Sequence, residues 1–234
     1  MKRLSKQELL SLVKNRKDNE TIQLPNSHIL DMDLNGEDLS NIDFSWSNIE
    51  NVNLRDAHLT NCNFDHVYFS NVDLRGANLA GSTLEGANLG SCNLRGMNAC
   101  GVNFYSANLV GAKLDNIQVD EDTKYFRLQC PQSGYFIGYK SCMNYRIVTL
   151  LIPKDSKRSS ATTDECRCEK AKVIEISNID RAEFYQEATS YVDENFVYRL
   201  GEMVYAKNFN DDRWVESTGG IHFYMTREKA IAYM

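Results

Sequence analysis

Between Ile22 and Val119 an apolar residue returns at every fifth position, and no other feature of the chain constrains its fold as strongly. From Leu24 the series runs Leu24, Ile29, Leu34, Leu39, Phe44 and onward to Val119, and all twenty positions are apolar. A second series, mostly small or apolar, stands two residues before the first, as in Val52, Ala57, Cys62, Val67, Val72 and Ala77. Between the two lies Asp or Asn at most turns, as in Asp43, Asn53, Asn63 and Asp73. A five-residue period fits neither a 3.6-residue helix nor a two-residue strand.

Two inward side chains flanking one outward residue make a short extended segment, and the remaining two residues turn a corner. Gly36, Gly76, Gly81, Gly86, Gly96, Gly101 and Gly111 fall on the second corner position, with Asn or Ser at several others. These residue types suit tight turns. Four such sides close a square coil of twenty residues. One coil cannot bury its own inner face, so coils must stack. The twenty apolar positions make five coils, a stack about 24 Å long at ~4.8 Å per hydrogen-bonded backbone.

The segments "GANLA", "EGANLG" and "SANLVGAKL" resemble the consensus Ala-Asp/Asn-Leu-x-x of the pentapeptide-repeat family. The resemblance covers about 100 of 234 residues and implies a right-handed quadrilateral β-helix. Glu37 in a small-residue slot and Ala99 in a central slot depart from the pattern at single corners.

Before the repeats, Leu4-Ser5-Lys6-Gln7-Glu8-Leu9 reads as a complete helix start, with Ser5 as N-cap, Glu8 closing a capping box and Leu4 stapled to Leu9. The helix should run from Lys6 to about Arg16, its apolar side Leu9, Leu10, Leu12 and Val13, and cover the first open coil. A membrane-binding helix is disfavoured, because it has only about three turns and Glu8 and Asp18 interrupt the basic face.

After Val119 the register should end at a charged junction, "DEDTKYF". Beyond it "YFRLQ", "GYFIGYKSC", "YRIVTLLI", "AKVIEI", "GEMVYA" and "GGIHFYM" read as strands rich in β-branched and aromatic residues. "PKDSKRSSATTDEC" reads as a polar loop, "DRAEFYQEATSYVDEN" as helical, and "TREKAIAYM" as a terminal helix capped by Thr226. The stretch from Tyr135 through "RSSAT" and "CRCEKAKV" to "NDDRW" and "GGIHFY" resembles a domain of unknown function found behind pentapeptide repeats in bacterial and phage proteins. That resemblance implies an architecture and no activity. The expected fold is therefore mainly β: a capping helix over 1–20, a quadrilateral β-helix over 21–120 and a small α+β domain over 121–234.

The net charge of −6 is uneven: residues 1–20 carry +3, residues 21–120 carry −8 and residues 121–234 carry −1. No apolar run reaches the ~20 residues of a membrane span; the strongest, Ile147 to Ile152, is strand-sized. No secretory leader follows Lys2 and Arg3. Seven cysteines, two of them in inward slots at Cys62 and Cys92, read as reduced thiols of a cytoplasmic protein.

Several residues could carry chemistry. Cys166-Arg167-Cys168 could build a zinc site with Cys130, Cys142 and His222, but the spacing is Cys-x-Cys and no second knuckle exists; the expectation is no metal and no cofactor. His222 is the one histidine outside the repeats and could act as a general base oriented by Glu216 or Asp212. With no nucleophile beside it, a hydrogen-bonded structural role is the plainer reading. Ser159, Ser160, Thr162 and Thr163 fall in what reads as a flexible loop, a poor place for a nucleophile. Arg213, Trp214 and His222 are the binding candidates of the C-terminal part. Arg55, Arg75 and Arg95 are those of the solenoid: they lie twenty apart and should stack as an exposed ladder, either solvated, with Asp56, Asp73 or Glu85 as candidate partners, or meeting an anionic partner.

The functional expectation is a non-catalytic interaction or scaffold protein with a protein partner. The family resemblance implies an alternative, since some pentapeptide-repeat proteins imitate duplex DNA and bind type II topoisomerases such as gyrase. Duplex DNA would carry about 14 charges over a ~24 Å length, against −8 here. An enzyme centred on His222 ranks third. Direct nucleic-acid binding is disfavoured, because no part of the chain is strongly basic.

Overall fold

The computed structural model describes residues 1–17 and 20–234, which form two compact units, Met1–Phe126 and Arg127–Met234. Asp18, which interrupts the basic face in the sequence, lies outside the described residues.

In the first unit the regular elements are β1 (Lys2–Arg3), α1 (Lys6–Asn15), β2 (Ile22–Gln23), β3 (Ser27–Leu30), β4 (Ile42–Asp43), β5 (Asn48–Glu50) and β6 (Tyr68–Ser70). Pairing is parallel at an offset of twenty: Ile22 with Ile42, Ile29 with Ile49, Ile49 with Phe69. Single bridges continue that offset at registers five residues apart, as in Asp33 to Asn53, Asp38 to His58, Asp43 to Asn63 and Tyr68 to Asn88. No α-helix interrupts 40–110 among the described residues.

The corners explain the period. Backbone φ is positive at every fifth residue from Asn26 to Asn116, nineteen positions in a row, and seven of these are Gly. The left-handed region is open to Gly and tolerated by Asn and Asp, but costs other residues energy. Inside, Phe44, Phe64, Leu84 and Phe104 are all buried in one column, and Phe44 stacks on Phe64 at 5.5 Å with planes 9° apart. The Asp/Asn slot has its own cause. Asp43 Oδ1 accepts from the Ser45 N–H at 2.9 Å, and Asn53 Nδ2 donates to Asp33 Oδ1 at 2.9 Å in the neighbouring coil. One side chain thus fixes its own corner and tethers the next coil.

The register outlasts Val119. Asn103 bridges Lys124, one residue past the usual offset, and Thr123 fills the next inward slot. Its Oγ1 donates to the Ala99 carbonyl at 3.0 Å, as Ser82 Oγ donates to Leu59 at 2.7 Å. The extra residue is absorbed where Asp120 Oδ1 accepts from the N–H groups of Thr123 and Gly101, each at 2.9 Å. "DEDTKYF" is thus partly a last side of the coil. "YFRLQ" contains no strand.

α1 starts as its sequence dictates: the Glu8 N–H donates to Ser5 Oγ at 3.2 Å and the Ser5 N–H to Glu8 Oε2 at 2.8 Å. Leu9 is fully buried, whereas Leu12 is exposed. Arg16, just past the helix, donates to the Ser40 carbonyl and to Asp38 Oδ2 at 2.9 Å.

The second unit contains β7 (Phe136–Cys142), β8 (Arg146–Ile152), β9 (Arg158–Ser160), β10 (Glu165–Cys168), β11 (Lys170–Asn178), β12 (Glu187–Thr189), β13 (Val197–Arg199), β14 (Met203–Tyr205), β15 (Ile221–Tyr224) and α2 (Arg227–Ala232). Seven strands form one sheet in the order β14-β11-β8-β7-β15-β10-β9, and β12 pairs with β13 apart from it. Val148, Leu150, Ile152, Val173, Ile176 and Phe223 make the core with Tyr198 and four cysteines. Thr226 caps α2 by accepting the Lys229 N–H at 3.3 Å.

Two sequence expectations fail here. "DRAEFYQEATSYVDEN" holds no helix among the described residues. Asp180 Oδ1 accepts from Ala182 N at 3.0 Å and Asp193 Oδ1 from Asn195 N at 2.9 Å, local bonds that compete with helix. Between them β12 places Ala188 opposite Tyr198, and both are buried. "PKDSKRSSATTDEC" is not one flexible loop either. It contains β9, and Ser159, Ser160 and Thr162 are buried, with Ser160 Oγ accepting from Gln129 N at 2.9 Å.

Candidate functional site

On the coil, Arg55, Arg75 and Arg95 do occupy successive equivalent corners. Arg75 binds Asp73 through Nε at 2.9 Å and through a second nitrogen at 2.5 Å. Arg95 Nε meets Asp115 Oδ2 at 2.5 Å, and Asp115 is the next residue in the same column. Arg55 is exposed and makes no ion pair among the described residues. The ladder is therefore largely neutralised by its own neighbours. The Arg75 guanidinium holds the Asp73 carboxyl below the usual carboxylate range.

Another corner of the coil stands out. Trp46, at φ 60°, is more than half exposed and stacks on His66, at φ 57°, with ring centroids 4.1 Å apart. His66 in turn overlies Gly86, where a Cβ would come within 2.5 Å of Nδ1. Tyr68, two residues from His66, is also exposed. Large aromatics at positive φ are uncommon.

In the second unit a cleft of about 290 Å³ is lined by Lys140, Ser141, Glu165, Asp193, Lys207 and His222, with aromatic walls. β7 and β15 share a single rung, Tyr139 with Tyr224, and the lining residues Lys140, Ser141 and His222 lie beyond it. The β10–β15 register places Arg167 opposite His222 and Glu165 opposite Tyr224, which puts Glu165 one diagonal step from His222 on the same face. His222 Nδ1 lies 2.9 Å from Glu165 Oε2, and Nε2 lies 2.8 Å from the Thr218 carbonyl. Both ring nitrogens thus face an acceptor of the protein itself, and neither is directed at open space. The expected orienters are engaged elsewhere: Glu216 accepts from the Thr163 hydroxyl, and Asp212 Oδ1 accepts from the Trp214 N–H at 3.0 Å. Cross-strand pairing supplied a partner that chain proximity could not indicate.

Lys140 was not legible as a site residue. It is half-buried, and its amine has no hydrogen bond or ion pair among the described residues. Burial pulls its pKa below the ordinary lysine value, against the opposing charge of Glu165. The only trace in the sequence is a lysine inside the apolar strand "YFIGYKSC", a break in a local rule of the kind that marks sites.

Arg213 and Trp214 do not line the cleft. Arg213 donates to the Ser160 carbonyl at 3.1 Å and stands 4.2 Å over the Trp214 ring. Arg167, fully buried, plays a similar part: its guanidinium donates to the carbonyls of Asn210 and Gly219 at 3.2 Å and of Asp212 at 3.0 Å. The two arginines tie the segment before β15 to the sheet. All seven cysteines are free thiols, and six are buried. The neighbouring Cys130 thiol, together with burial, pushes the Cys166 thiol up, so it stays protonated. No group of three or more His, Cys, Asp or Glu side chains stands ready for a metal among the described residues. No helix among them is long and apolar enough to cross a membrane.

A family model of pentapeptide repeats, in eight copies, matches residues 38–76 and 77–116, and a model described as a family of unknown function (DUF5758) matches 126–230. Among solved structures the chain is similar to HetL, a pentapeptide repeat protein involved in heterocyst differentiation regulation from the cyanobacterium Nostoc sp. strain PCC 7120. Identity is 24% over 41% of this chain and 46% of that one, with a TM-score of 0.39. A pentapeptide repeat protein of the Arabidopsis thaliana thylakoid lumen is 23% identical over 43% of this chain and 69% of its own, with a TM-score of 0.34. QnrB1, a plasmid-mediated fluoroquinolone resistance protein, is 18% identical over 44% of this chain and 65% of its own, with a TM-score of 0.26. The chain thus spans about half the length of HetL. Comparison with curated proteins gives no match. From its repeats and the domain that follows them, the chain is a pentapeptide-repeat protein carrying, at its C-terminal side, a domain of a family whose function is unknown.

Proposed function

We propose that this is a non-catalytic interaction protein whose coil presents its partner surface at the Trp46–His66 corner. The observation that carries this reading is the placement of an exposed Trp, stacked on His, in a backbone conformation that Gly, Asn and Asp fill at most other corners. Sparsely populated backbone conformations cluster at functional sites. Trp and Tyr are also the residues most enriched among interface hot spots, and Tyr68 lies beside this corner.

The finer architecture belongs to the same proposal: a right-handed quadrilateral β-helix of five coils, closed at its start by α1. Support for the cap comes from Leu9, which is fully buried and borders the same small apolar space as Ile29, Leu34 and Leu39. A non-catalytic role is supported by His222, whose two nitrogens are both occupied. Seven unpaired thiols fit a reducing, cytoplasmic setting.

The charge pattern favours a protein partner over imitation of DNA at a topoisomerase. Asp33, Asp38 and Asp43 each accept a backbone N–H of their own corner, and Asp73 and Asp115 are paired with Arg75 and Arg95. These carboxylates serve the coil, and the net −8 of residues 21–120 falls short of the about 14 charges of a duplex of that length.

The test is a photo-crosslinking amino acid placed at position 46 of the full chain in its own cells. One discrete protein adduct should form there and not from position 110, an exposed site three coils further along the same solenoid. Adducts of equal kind and yield from both positions would overturn the assignment.

A further inference from the structure

Five Lys, Asp, Glu or His side chains line the cleft of the second unit, and four of them meet in pairs. Glu165 meets His222 at 2.9 Å, and Asp193 meets Lys207 at 3.0 Å. Lys140 has no ion-pair partner among the described residues, and the Glu165 carboxylate acts on it only from beyond contact distance. A desolvated amine gains more from an anion than a solvated one does, because little water screens the attraction. The hydroxyls of Ser141 and Ser190 add donors to the lining. Tyr191, Phe196, Tyr198 and Tyr233 supply aromatic walls. At about 290 Å³ the space lies at the small end of ligand pockets.

From this arrangement we infer that the cleft binds a small aromatic anion, with Lys140 as its counter-charge and the tyrosine and phenylalanine rings as its walls. The anionic group is an oxyacid, carboxylate or phosphate, since either accepts from an ammonium and from hydroxyls together. The site is independent of the Trp46 corner, so each can fail without the other.

The experiment measures affinities for the full chain by NMR titration with four small probes that share a phenyl ring: benzoate, phenyl phosphate, benzamide and benzylamine. Benzoate or phenyl phosphate should bind at least about tenfold more tightly than benzamide, as expected of a charge-assisted contact, and benzylamine should be the weakest. The better of the two anions identifies the oxyacid. Lys140→Met should reduce the anion to the affinity of benzamide, while Lys154→Met, at an exposed lysine outside the lining, should leave it unchanged. Equal affinity for benzoate, phenyl phosphate and benzamide would overturn the proposal, and so would a preference for benzylamine or full anion binding by a folded Lys140→Met. The preference of the wild-type chain for anion over amide needs no variant, so the test stands even if Lys140→Met does not fold.

Discussion

Trp46 lies on His66 with ring centroids 4.1 Å apart and planes 28° from parallel, although both residues sit in the left-handed region of the backbone. The offset of twenty residues makes such pairs unavoidable: whatever stands at one corner lies on its counterpart in the next coil. The coil therefore turns a sequence spacing into a surface pattern with no further folding information.

Replacing Trp46 by Asn should leave stability nearly unchanged. Asn already occupies the corners at 41, 51, 61 and 71 with φ between 52° and 56°. The change relieves about 1 kcal/mol of backbone cost and loses ~0.5–1.5 kcal/mol of ring stacking. Thermal melting should move by less than about 4 °C; a larger fall would mean that the Trp serves folding.

Leu74→Ala should cost about 2–5 kcal/mol, because Leu74 is fully buried in a stack that cannot collapse around a gap. The two tryptophans allow separate readings, Trp46 in the first unit and Trp214 in the second. In a Trp214→Phe background, urea unfolding followed by fluorescence should show the loss; an unchanged midpoint would contradict the register.

Gly138→Ala should destabilise the second unit by about 1–3 kcal/mol through overpacking. A Cβ there would stand 3.0 Å from Phe223 Cγ and 3.1 Å from Ile152 Cδ1, both in the core. Unfolding seen by Trp214 should shift while that seen by Trp46 does not.

The thiols give a pH prediction. Burial pushes the Cys62 and Cys142 thiols up to about 12, from an unfolded value of about 8.5. The folded chain keeps these protons while the unfolded chain gives them up, so their contribution is complete below about pH 8.5 and is lost as pH rises from there through about 12. Stability should fall steeply over that range, and Cys62→Ala should flatten part of the slope. In the native chain at neutral pH a thiol reagent should label Cys100, the one half-exposed cysteine, before the other six. Fast labelling of all seven would contradict the packing.

The coil was legible because its cause is local: the apolar slot, the Asx slot and the corner each belong to one pentapeptide, and the offset of twenty follows from them. The capping box at Ser5 and Glu8 was local in the same sense. The overrun to Lys124 was hidden because one inserted residue breaks the count while the stacking survives it. In the second unit the strand at Glu187–Thr189 was read as helix because its geometry depends on Tyr198 across the pair. Glu165 and Lys140 were missed for a related reason. Their proximity to His222 and to the cleft arises from pairing of strands distant in sequence, which no spacing records. Arg55, Arg75 and Arg95 were correctly aligned and Asp73 was legible as a partner, but Asp115, twenty residues beyond Arg95, came clear only in three dimensions.

The most direct measurement is quantitative co-purification of the full chain and of its Trp46→Asn variant from the cells that make it, at matched expression and with melting recorded for both. A partner acting at this corner should accompany the wild-type chain near one to one and fall at least about tenfold with the variant, a loss of ~1.4 kcal/mol or more, while the melting temperature holds. The same proteins recovered in the same ratios by both chains would contradict a partner surface at Trp46 and His66.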